Sequence, residues 1–541
     1  MKRFCLFLTA VLSGLVPISA PAETRTADAV EAEIAKHNLD GMIRSAIGVT
    51  RNGTPIPSFL TEDDLDPHSD KYRVLLVGGL DGNLESTKAV LKALERVRDK
   101  PGYAVSAVPC VRPDDLGSDE LVPCEFPPKG NAYNQPENDV AHYLWRWIQM
   151  HAPDRVVLID ANSDVSLNKA LSGSCPTSFA IPERVDGFVK TVLSQQEGKP
   201  SKLRREWQRR VDRTPIEVAE ELANVYGHKF DSVMYIPALA IVGRMRLGEL
   251  TDDPAALKDA EKLGAPFLSG EKESMPPKGN GSTISGHLVF SELARRTGDE
   301  GWTALAKKAA DYGFDENEKP KESMPFHSEM SDSVFMGCAI LAETGQLTGD
   351  AKYFEQCLRH LRFMQKLDLR PDGLYRHSPL DEAAWGRGNG FPALGMALSL
   401  SALPEDSDEF AAFLESYRNH LTALRQHQDP TGAWHQVIDH EESYREFTST
   451  CMITFAIVRG LRQGWLDAAE WQPVVDKAWT AIKSRIGPDG NLVDVCTGTG
   501  KQKSLRDYFD RTAILGRDDR GGAMALLVST EIAFWEREAG K

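Results

Sequence analysis

The sequence has no excess of basic residues and no apolar run long enough to span a membrane. Its 541 residues include 63 Lys and Arg against 79 Asp and Glu, a formal net charge of −16. General binders of nucleic acid or anionic membranes need net positive surface, so the charge argues against both classes of partner. The apolar run from Phe4 to Val16 is too short to cross a bilayer as a stable helix. We therefore expect no nucleic-acid partner and no stable membrane insertion.

Cysteine is scarce, with eight residues, and no pair has CxxC or zinc-finger spacing. We expect no cofactor and no metal site built on cysteine. Cys110 and Cys124 flank one loop and are the best candidates for a disulfide in an oxidising compartment. Cys338, Cys357 and Cys451 lie in apolar helical segments and are predicted to be small core residues.

The first 22 residues have the pattern of a signal peptide. Lys2 and Arg3 form a basic start, an apolar run follows, and Ala20-Pro21-Ala22 offers a small-x-small cleavage site. An amphipathic anchor is the alternative, and the missing polar face argues against it. The pattern predicts an exported protein, periplasmic or secreted.

Residues 70–195 alternate between strand and helix patterns. Tyr72 to Gly79 is a continuous apolar run that ends in glycines, as a buried parallel strand does. Tyr103 to Val111 and Arg155 to Asp160 are further predicted strands, and Glu85 to Val97 and Ala141 to Met150 are predicted helices. The alternation predicts an α/β domain with a largely parallel sheet, preceded by an extension over residues 23–69.

The strand signal disappears after residue 200. A basic linker helix is predicted within residues 196–214, and repeats follow: Lys272 to Pro276 (KESMP) recurs as Lys321 to Pro325, 49 residues later. Turn glycines at 373, 432 and 490 are spaced by 59 and 58 residues. Hairpins of this length over residues 215–541 indicate about six units, either an open solenoid or a closed ring. The irregular units and long loops favour an (α/α)6 toroid, so the predicted fold is an N-terminal α/β domain followed by an all-α ring.

One kind of inter-helical loop holds the reactive and aromatic residues. In a toroid, alternate loops gather on one face around a central funnel. Aromatic rings stack on sugar faces while Arg and His hold carboxylates, so this composition predicts a carbohydrate site. The candidate residues are Asp332, Tyr375, His377, Trp385, Arg387, Asn389, Trp434, His435 and Glu446.

Asp332 stands just before the apolar helix Val334 to Leu341. One interpretation is an ordinary helix N-cap, which contributes about 1 kcal/mol. The stretch Trp385 to Phe391 (WGRGNGF) favours a catalytic role instead, because its three glycines allow a close approach of the backbone to a ligand. It is not a dinucleotide fingerprint, since no strand precedes it.

Several ordered motifs resemble glycoside hydrolase family 105 and the related family 88, the unsaturated rhamnogalacturonyl and glucuronyl hydrolases. The resemblance covers residues 215–541. It is carried by Ser331 to Met336, Trp385 to Leu398, Gly432 to Asp439, Glu446 to Met452, Val495 to Gly500 and Asp519 to Met524.

The resemblance implies an (α/α)6 barrel that hydrates the C4–C5 double bond of a terminal unsaturated uronic acid on lyase-generated oligosaccharides. Asp332 matches the family's catalytic Asp, Trp385 and Arg387 match substrate-holding positions, and His377 lies in the loop that supplies a family histidine. The implied partner is an anionic oligosaccharide, and Arg387 suits a carboxylate clamp in a negatively charged protein.

The sequence departs from the family pattern at a second important Asp, one repeat before Asp332. The corresponding position is Gly281, with Asn280 or Ser282 as neutral stand-ins. Met330 and Phe391 also replace residues that are often aromatic or Trp. These departures predict an altered substrate preference or loss of the hydration activity.

The N-terminal domain resembles the zinc carboxypeptidase fold in Leu75 to Ser86, Pro127 to Tyr133 and Gln135-Pro-Glu137. Asp81, Glu85 and Asp160 stand near its ligand positions, where His is the more typical zinc ligand. We expect a degenerate domain without zinc, used for docking or polysaccharide contact; a hard-metal site of these three acids is the alternative. Two further interpretations of the whole chain stay open: a metal-dependent peptidase or deacylase, and a non-catalytic carbohydrate-binding protein.

Overall fold

A computed structural model describes residues 26–118, 121–130, 133, 139–160, 165–185, 187, 189, 191, 199–326 and 329–540. The expected signal peptide, the Gln135-Pro-Glu137 motif and His327 of the loop before Asp332 lie outside the described residues. Among those that are described, no helix is both long and apolar enough to cross a bilayer.

The N-terminal part of the chain is built on a six-stranded sheet in the order β1-β2-β4-β3-β5-β6. Strands β3 to β6 pair in parallel, and β1 and β2 add an antiparallel edge. Every residue of β3 and β4 is buried, which explains their continuous apolar sequences. The six strands are β1 Ile43–Val49, β2 Pro55–Leu60, β3 Tyr72–Gly78, β4 Tyr103–Val108, β5 Arg155–Ile159 and β6 Thr177–Ala180; the helices around them are α1 Thr26–Ile34, α2 Glu62–Leu65, α3 Leu84–Val97, α4 Asp139–His151 and α5 Val165–Leu171.

The predicted boundary at residue 70 is wrong, because the sheet begins inside the supposed extension. Strands β1 and β2 form a hairpin whose second strand pairs with β4 through Phe59 and Ala107. Their sequence carries Pro55 and Pro57, which cannot donate backbone hydrogen bonds, so the strand pattern was weak. The α/β unit therefore includes residues 43–60.

The remainder of the described chain is mainly helical. Its helices are α6 Lys202–Val211, α7 Pro215–Ala223, α8 Tyr235–Leu250, α9 Ala255–Leu268, α10 Gly281–Gly286, α11 Leu288–Thr297, α12 Glu300–Ala310, α13 Ala339–Thr348, α14 Lys352–Asp368, α15 Gly386–Leu400, α16 Asp408–Arg425, α17 Phe447–Arg462, α18 Ala468–Ser484, α19 Leu505–Phe509 and α20 Asp519–Glu538. Two short hairpins decorate the loops: β7 Trp434–His435 with β8 Arg445–Glu446, and β9 Leu492–Cys496 with β10 Ala513–Gly516.

Six of these helices form a closed inner ring. Each contacts the next, in the order α8, α11, α13, α15, α17 and α20, and α20 contacts α8 again. The alternate helices α7, α9, α12, α14, α16 and α18 lie outside them. The sequence prediction of an (α/α)6 toroid is confirmed, and an open solenoid is excluded by the contact between the last inner helix and the first.

The two sequence repeats have local physical causes. Met275 and Met324 of the repeated KESMP segments are both buried, at 3% and 1% exposure, so each segment inserts its methionine into the core. Gly432 has φ of +93°, and a Cβ there would lie 2.2 Å from the carbonyl oxygen of Lys477. The turn therefore requires glycine for both its conformation and its close approach to α18.

The sheet unit packs on the face of the barrel that carries the candidate site loops. One hydrophobic cluster contains Tyr143 and Trp147 of α4 together with Trp385, Val437 and Tyr444 of the barrel. Helix α6, predicted as a surface linker, buries Leu203 and Trp207 in the same cluster. Shared apolar burial of this kind fixes two units against each other.

The predicted Cys110–Cys124 disulfide is wrong. No disulfide links any of the seven cysteines in the described part of the chain, and all seven are buried. The Cys124 sulfur accepts a hydrogen bond from Arg112 Nη2 at 2.9 Å, and burial raises the pKa of the Cys110 thiol to about 12. Cys338, Cys357 and Cys451 are core residues, as predicted.

Candidate active site

Asp332 lies at the start of an irregular turn of the inner ring. Its carbonyl accepts hydrogen bonds from Phe335 and Met336, and a π-helical segment, Val334–Cys338, leads into α13. Its carboxylate does not cap this helix, since Oδ1 is buried without a hydrogen-bond partner among the described residues. The N-cap interpretation is therefore wrong, and a carboxyl next to a π-segment is a frequent feature of functional sites.

The imidazole of His377 faces this carboxyl. Its Nε2 lies 3.7 Å from Asp332 Oδ2, and its Nδ1 lies 2.9 Å from the hydroxyl of Tyr508. The Tyr508 oxygen accepts from the Gln502 amide at 3.3 Å, so its own hydrogen is free for His377 Nδ1. In the neutral ring this leaves the proton on Nε2, the nitrogen that faces Asp332.

Unsatisfied polar atoms cluster around Asp332. Ser331 Oγ, His377 Nε2 and the indole Nε1 of Trp385 are all buried without a hydrogen-bond partner within the described structure. A Cβ on Gly388 would lie 3.0 Å from Ser331 Oγ, 3.0 Å from Trp385 Cε3 and 3.5 Å from His377 Cδ2, so these residues surround one glycine. Buried polar groups without partners are costly in a finished core and are typical of a site that binds a ligand.

The prediction of Arg387 as a free carboxylate clamp is not supported by its geometry. Its Nη1 donates to the carbonyl of Cys496 and its Nη2 to that of Thr497, both at 2.7 Å. The guanidinium lies 4.7 Å from the centroid of the Trp385 ring. Arg387 therefore joins the loop after β9 to Trp385, and its charge acts on Asp332 through space.

Asn389 and Tyr375 support the site rather than form its surface. Asn389 Oδ1 accepts from the Tyr375 amide at 2.8 Å, and its Nδ2 donates to the carbonyls of Tyr375 and Trp385. Tyr375 is 1% exposed and contacts His420 edge-on. The fold already engages the Asn389 amide and encloses the Tyr375 ring, and the predicted substrate contacts of both residues stay predictions.

The polar groups of Trp434, His435 and Glu446 likewise have hydrogen-bond partners within the protein. Trp434 Nε1 donates to the Leu424 carbonyl at 2.8 Å, and His435 lies between the Ser443 carbonyl and the Asp429 carboxylate. Glu446 caps α17 through the amides of Thr448 and Ser449 and also accepts from the Cys496 amide. These contacts position the loops, and the predicted roles of the three residues in substrate binding stay predictions.

The region of the missing second Asp offers neutral groups. Asn280 is exposed and caps α10, its Oδ1 accepting from the Thr283 amide at 3.2 Å. Ser282 Oγ is buried without a partner among the described residues, and α10 packs against the Val334–Cys338 segment. Of the two neutral residues that could replace the missing Asp, Ser282 is therefore the one with an unsatisfied polar atom, and its helix packs against the segment that follows Asp332.

Sequence patterns missed two further members of the site. Asp368, at the end of α14, is fully buried, and its Oδ1 lies 3.6 Å from Arg376 Nε. Burial raises its pKa to about 7 even though Arg376 acts to lower it, and Asp332 contributes repulsion. Tyr508 is 131 residues from His377 in sequence. Neither residue lies in a repeated motif, so no sequence signal linked them to Asp332.

The N-terminal acids do not form the alternative metal site. Asp81 accepts from the Asn83 amide and the Ser86 hydroxyl, whereas Glu85 pairs with Lys88 at 2.6 Å on the surface. Burial, together with Asp81, raises the pKa of Asp160 to about 9, which favours its neutral acid at neutral pH. Among the described residues, no group of three His, Cys, Asp or Glu is placed to hold a metal.

Comparison with known proteins decides the family. The profile of Glycosyl Hydrolase Family 88 matches residues 204–534, more than half of the chain. The chain belongs to glycosyl hydrolase family 88. It is therefore a glycoside hydrolase, and the (α/α)6 ring is its family 88 domain. The match begins within α6 and leaves out the sheet unit, whose resemblance to carboxypeptidases stays a prediction.

Curated relatives of this family 88 domain carry related names. The chain is 27% identical over 257 residues to the unsaturated rhamnogalacturonyl hydrolase YesR of Bacillus subtilis (strain 168), covering 44% of this chain and 72% of that protein. It is 25% identical over 253 residues to an unsaturated 3S-rhamnoglycuronyl hydrolase of Alteromonas sp. (strain LOR), covering 43% of this chain and 60% of that protein.

Solved structures agree on the fold. A family 105 glycoside hydrolase from C. acetobutylicum ATCC 824 superposes with a TM-score of 0.52 at 21% identity, over 60% of this chain and all of that one. A family 88 glycosyl hydrolase from Bacteroides vulgatus gives a TM-score of 0.50 at 18% identity, again over 60% of this chain and all of that one.

Proposed function

We propose that the protein is an exported hydrolase of unsaturated uronides, which removes the terminal unsaturated uronic acid from lyase-generated oligosaccharides. The observation that carries the proposal is the cluster of unpartnered polar atoms around Asp332 inside a family 88 domain. The names of the two curated relatives support the substrate class. The basic and apolar start of the chain supports export.

Asp332 acts as the general acid and base in this proposal. The C4–C5 double bond is part of a vinyl ether, so a proton delivered to C4 creates an oxocarbenium-like centre at C5. Water adds at C5 as Asp332, now a carboxylate, accepts its proton; the resulting hemiketal then opens and releases the sugar. One carboxyl serves both steps, which suits a site where the second family Asp is replaced by Gly281.

His377 and Trp385 complete the proposed mechanism. With its Nδ1 fixed by Tyr508, His377 presents Nε2–H to Asp332 and stabilises the carboxylate after proton transfer. The Trp385 ring lies 4.4 Å from the His377 ring, centroid to centroid, and its buried indole N–H has no partner among the described residues. Such an N–H donor can hold a hydroxyl or carboxylate of the sugar.

The experiment is a panel of lyase-generated oligosaccharides incubated with the purified protein. Hydration destroys the conjugated double bond, so the ultraviolet absorbance of the unsaturated uronide falls as the reaction proceeds. We expect a fall with at least one member of the panel, unaffected by a metal chelator. Constant absorbance with every oligosaccharide, or activity abolished by chelation and restored by zinc, contradicts the proposal.

A further inference from the structure

A cavity separates the sheet unit from the barrel. Its volume is about 70 Å³, enough for a small ion, and its wall combines residues of both units. Arg73 comes from β3 of the sheet, and Arg485 directly follows α18 of the barrel. The cavity is distinct from the candidate active site, since none of the residues that surround Gly388 lines it.

Arg73 and Arg485 are buried, and neither forms an ion pair with an acid of the described chain. They are 1% and 5% exposed, and no described Asp or Glu lies within 4.0 Å of either guanidinium. Arg73 donates to the carbonyls of Asp66 and His151, at 2.8 and 3.3 Å, and Arg485 to that of Ala481, at 3.1 Å. The Nε of each arginine has no partner among the described residues.

Unpaired buried charge of this kind is expensive. Burial lowers the pKa of Arg73 to about 9, with Arg204 adding repulsion, and burial also lowers the pKa of Arg485. A buried cation without a counter-ion destabilises the folded protein, and a bound anion offsets part of that cost.

The acids of the same wall are already paired. Asp64 Oδ1 lies 3.3 Å from His151 Nε2, and Asp494 forms an ion pair with Arg146. Asp66 and Asp154 also contact Arg73, but neither joins its carboxylate to the guanidinium. The Asp66 carbonyl accepts from the guanidinium, and the Asp154 carboxylate accepts from the backbone amide of Arg73. Asp64 and Asp494 also attract the charges of Arg73 and Arg485 through space. Each of these acids has another partner in contact, so both arginines keep donors for an added anion.

The remaining unsatisfied groups of the wall are mostly donors. The indole Nε1 atoms of Trp147 and Trp207 are buried without described partners, as are the two arginine Nε atoms. Tyr133 stacks on Tyr444 across the two units, with ring centroids 5.2 Å apart. Buried N–H donors in an aromatic setting are suited to oxygen atoms that carry negative charge.

We propose that this interdomain cavity binds a small oxyanion, a carboxylate or a tetrahedral phosphate or sulfate, between Arg73 of the sheet unit and Arg485 of the barrel. The anion holds the two units together, because each supplies one of its cations. A ligand that binds only the folded protein raises its apparent stability in a saturable manner.

The test measures Tm of the full chain at constant ionic strength while chloride is replaced in turn by acetate, D-galacturonate, phosphate or sulfate. We expect at least one of these anions to raise Tm by a few degrees with saturation, and the comparison of arms shows whether the carboxylate or the tetrahedral oxyanion is preferred. Arg73→Met and Arg485→Met should weaken the apparent affinity by about tenfold or more, whereas the exposed Arg209→Met should not change it.

No saturable rise with any anion, or an unchanged rise in Arg73→Met and Arg485→Met, overturns the proposal. Should those variants fail to fold, the wild-type protein still decides it. If phosphate or sulfate is the anion that raises Tm, crystals soaked in selenate should give an anomalous peak between Arg73 and Arg485, and peaks only elsewhere contradict the site.

Discussion

The Nε2 atom of His377 lies 3.7 Å from Oδ2 of Asp332, and the hydroxyl of Tyr508 holds the other nitrogen of the same ring. The two residues come from different repeats of the barrel, 45 positions apart in sequence. Ser331 joins their loops by donating its amide to the His377 carbonyl at 3.0 Å. Asp332 therefore faces a histidine whose ring orientation and protonated nitrogen are fixed by the hydrogen bond to Tyr508.

Removing the Tyr508 hydroxyl tests this orientation. Tyr508→Phe should lower kcat by about 3- to 10-fold with little change in KM, because one hydrogen bond worth about 0.5–1.5 kcal/mol no longer fixes His377. Steady-state kinetics with an unsaturated oligosaccharide measure both constants. Tyr417→Phe is the matched control: its buried hydroxyl bonds the Ala456 carbonyl at 2.6 Å, so Tm should fall while kcat stays. Equal kcat for wild type and Tyr508→Phe would rule out the positioning role.

The close packing around Gly388 leads to a second prediction. Gly388→Ala places a Cβ 3.0 Å from both Ser331 Oγ and Trp385 Cε3, so these side chains must shift by a few tenths of an ångström. We expect kcat/KM to fall by about tenfold or more, since small misplacements of reacting groups are costly. Gly173→Ala, where a Cβ meets nothing within 4 Å, should leave activity unchanged. A fully active Gly388→Ala variant would contradict the position assigned to the site.

Asn389 distinguishes a structural role from substrate binding. Asn389→Ala leaves the amide and carbonyl of Tyr375 without their partner, so the free energy of unfolding should fall by about 2–4 kcal/mol. Chemical denaturation measures this loss. A variant with unchanged stability and a raised KM would instead indicate that Asn389 contacts the substrate, as the motif predicted.

The buried carboxyl of Asp368 predicts a pH dependence of stability. Its pKa is raised to about 7 in the folded protein, mainly by burial, against 3.8 as its ordinary value. The folded state therefore holds this proton more tightly, and the contribution to stability is full below about pH 4 and is lost as pH rises through about 7. Asp368→Asn should flatten this fall and raise Tm relative to wild type at about pH 8. Calorimetry between about pH 4 and 8 measures the Tm of each variant, with the exposed Glu405→Gln as control. If Tm falls with pH equally in wild type and Asp368→Asn, the prediction is contradicted.

Much of the fold was predictable from the sequence, because its signals are local and periodic. The β3 run from Tyr72, the turn glycines and the KESMP repeat each have a direct structural cause. Strands β1 and β2 were missed, since Pro55 and Pro57 weaken a strand pattern whose pairing is decided by the distant β4.

The site was predictable only in part. Motif residues cluster on one face, yet a motif does not tell whether a polar group is free or occupied. Asn389 and Glu446 belong to the family pattern but are bonded within the fold, whereas Tyr508 and Asp368 enter the site through tertiary contacts alone. Asp332 is distinguished by what the sequence cannot show, a carboxylate oxygen buried without a partner.

Asp332→Asn is the most direct test of the central claim that this carboxyl transfers the proton. The change keeps the size of the side chain and removes its acid function, so the rate at which the unsaturated uronide loses its ultraviolet absorbance should fall by roughly 10²–10⁴-fold. Tm should stay close to that of wild type, and the exposed Asp406→Asn should keep full activity. A folded Asp332→Asn protein that removes the absorbance at the wild-type rate would contradict the account.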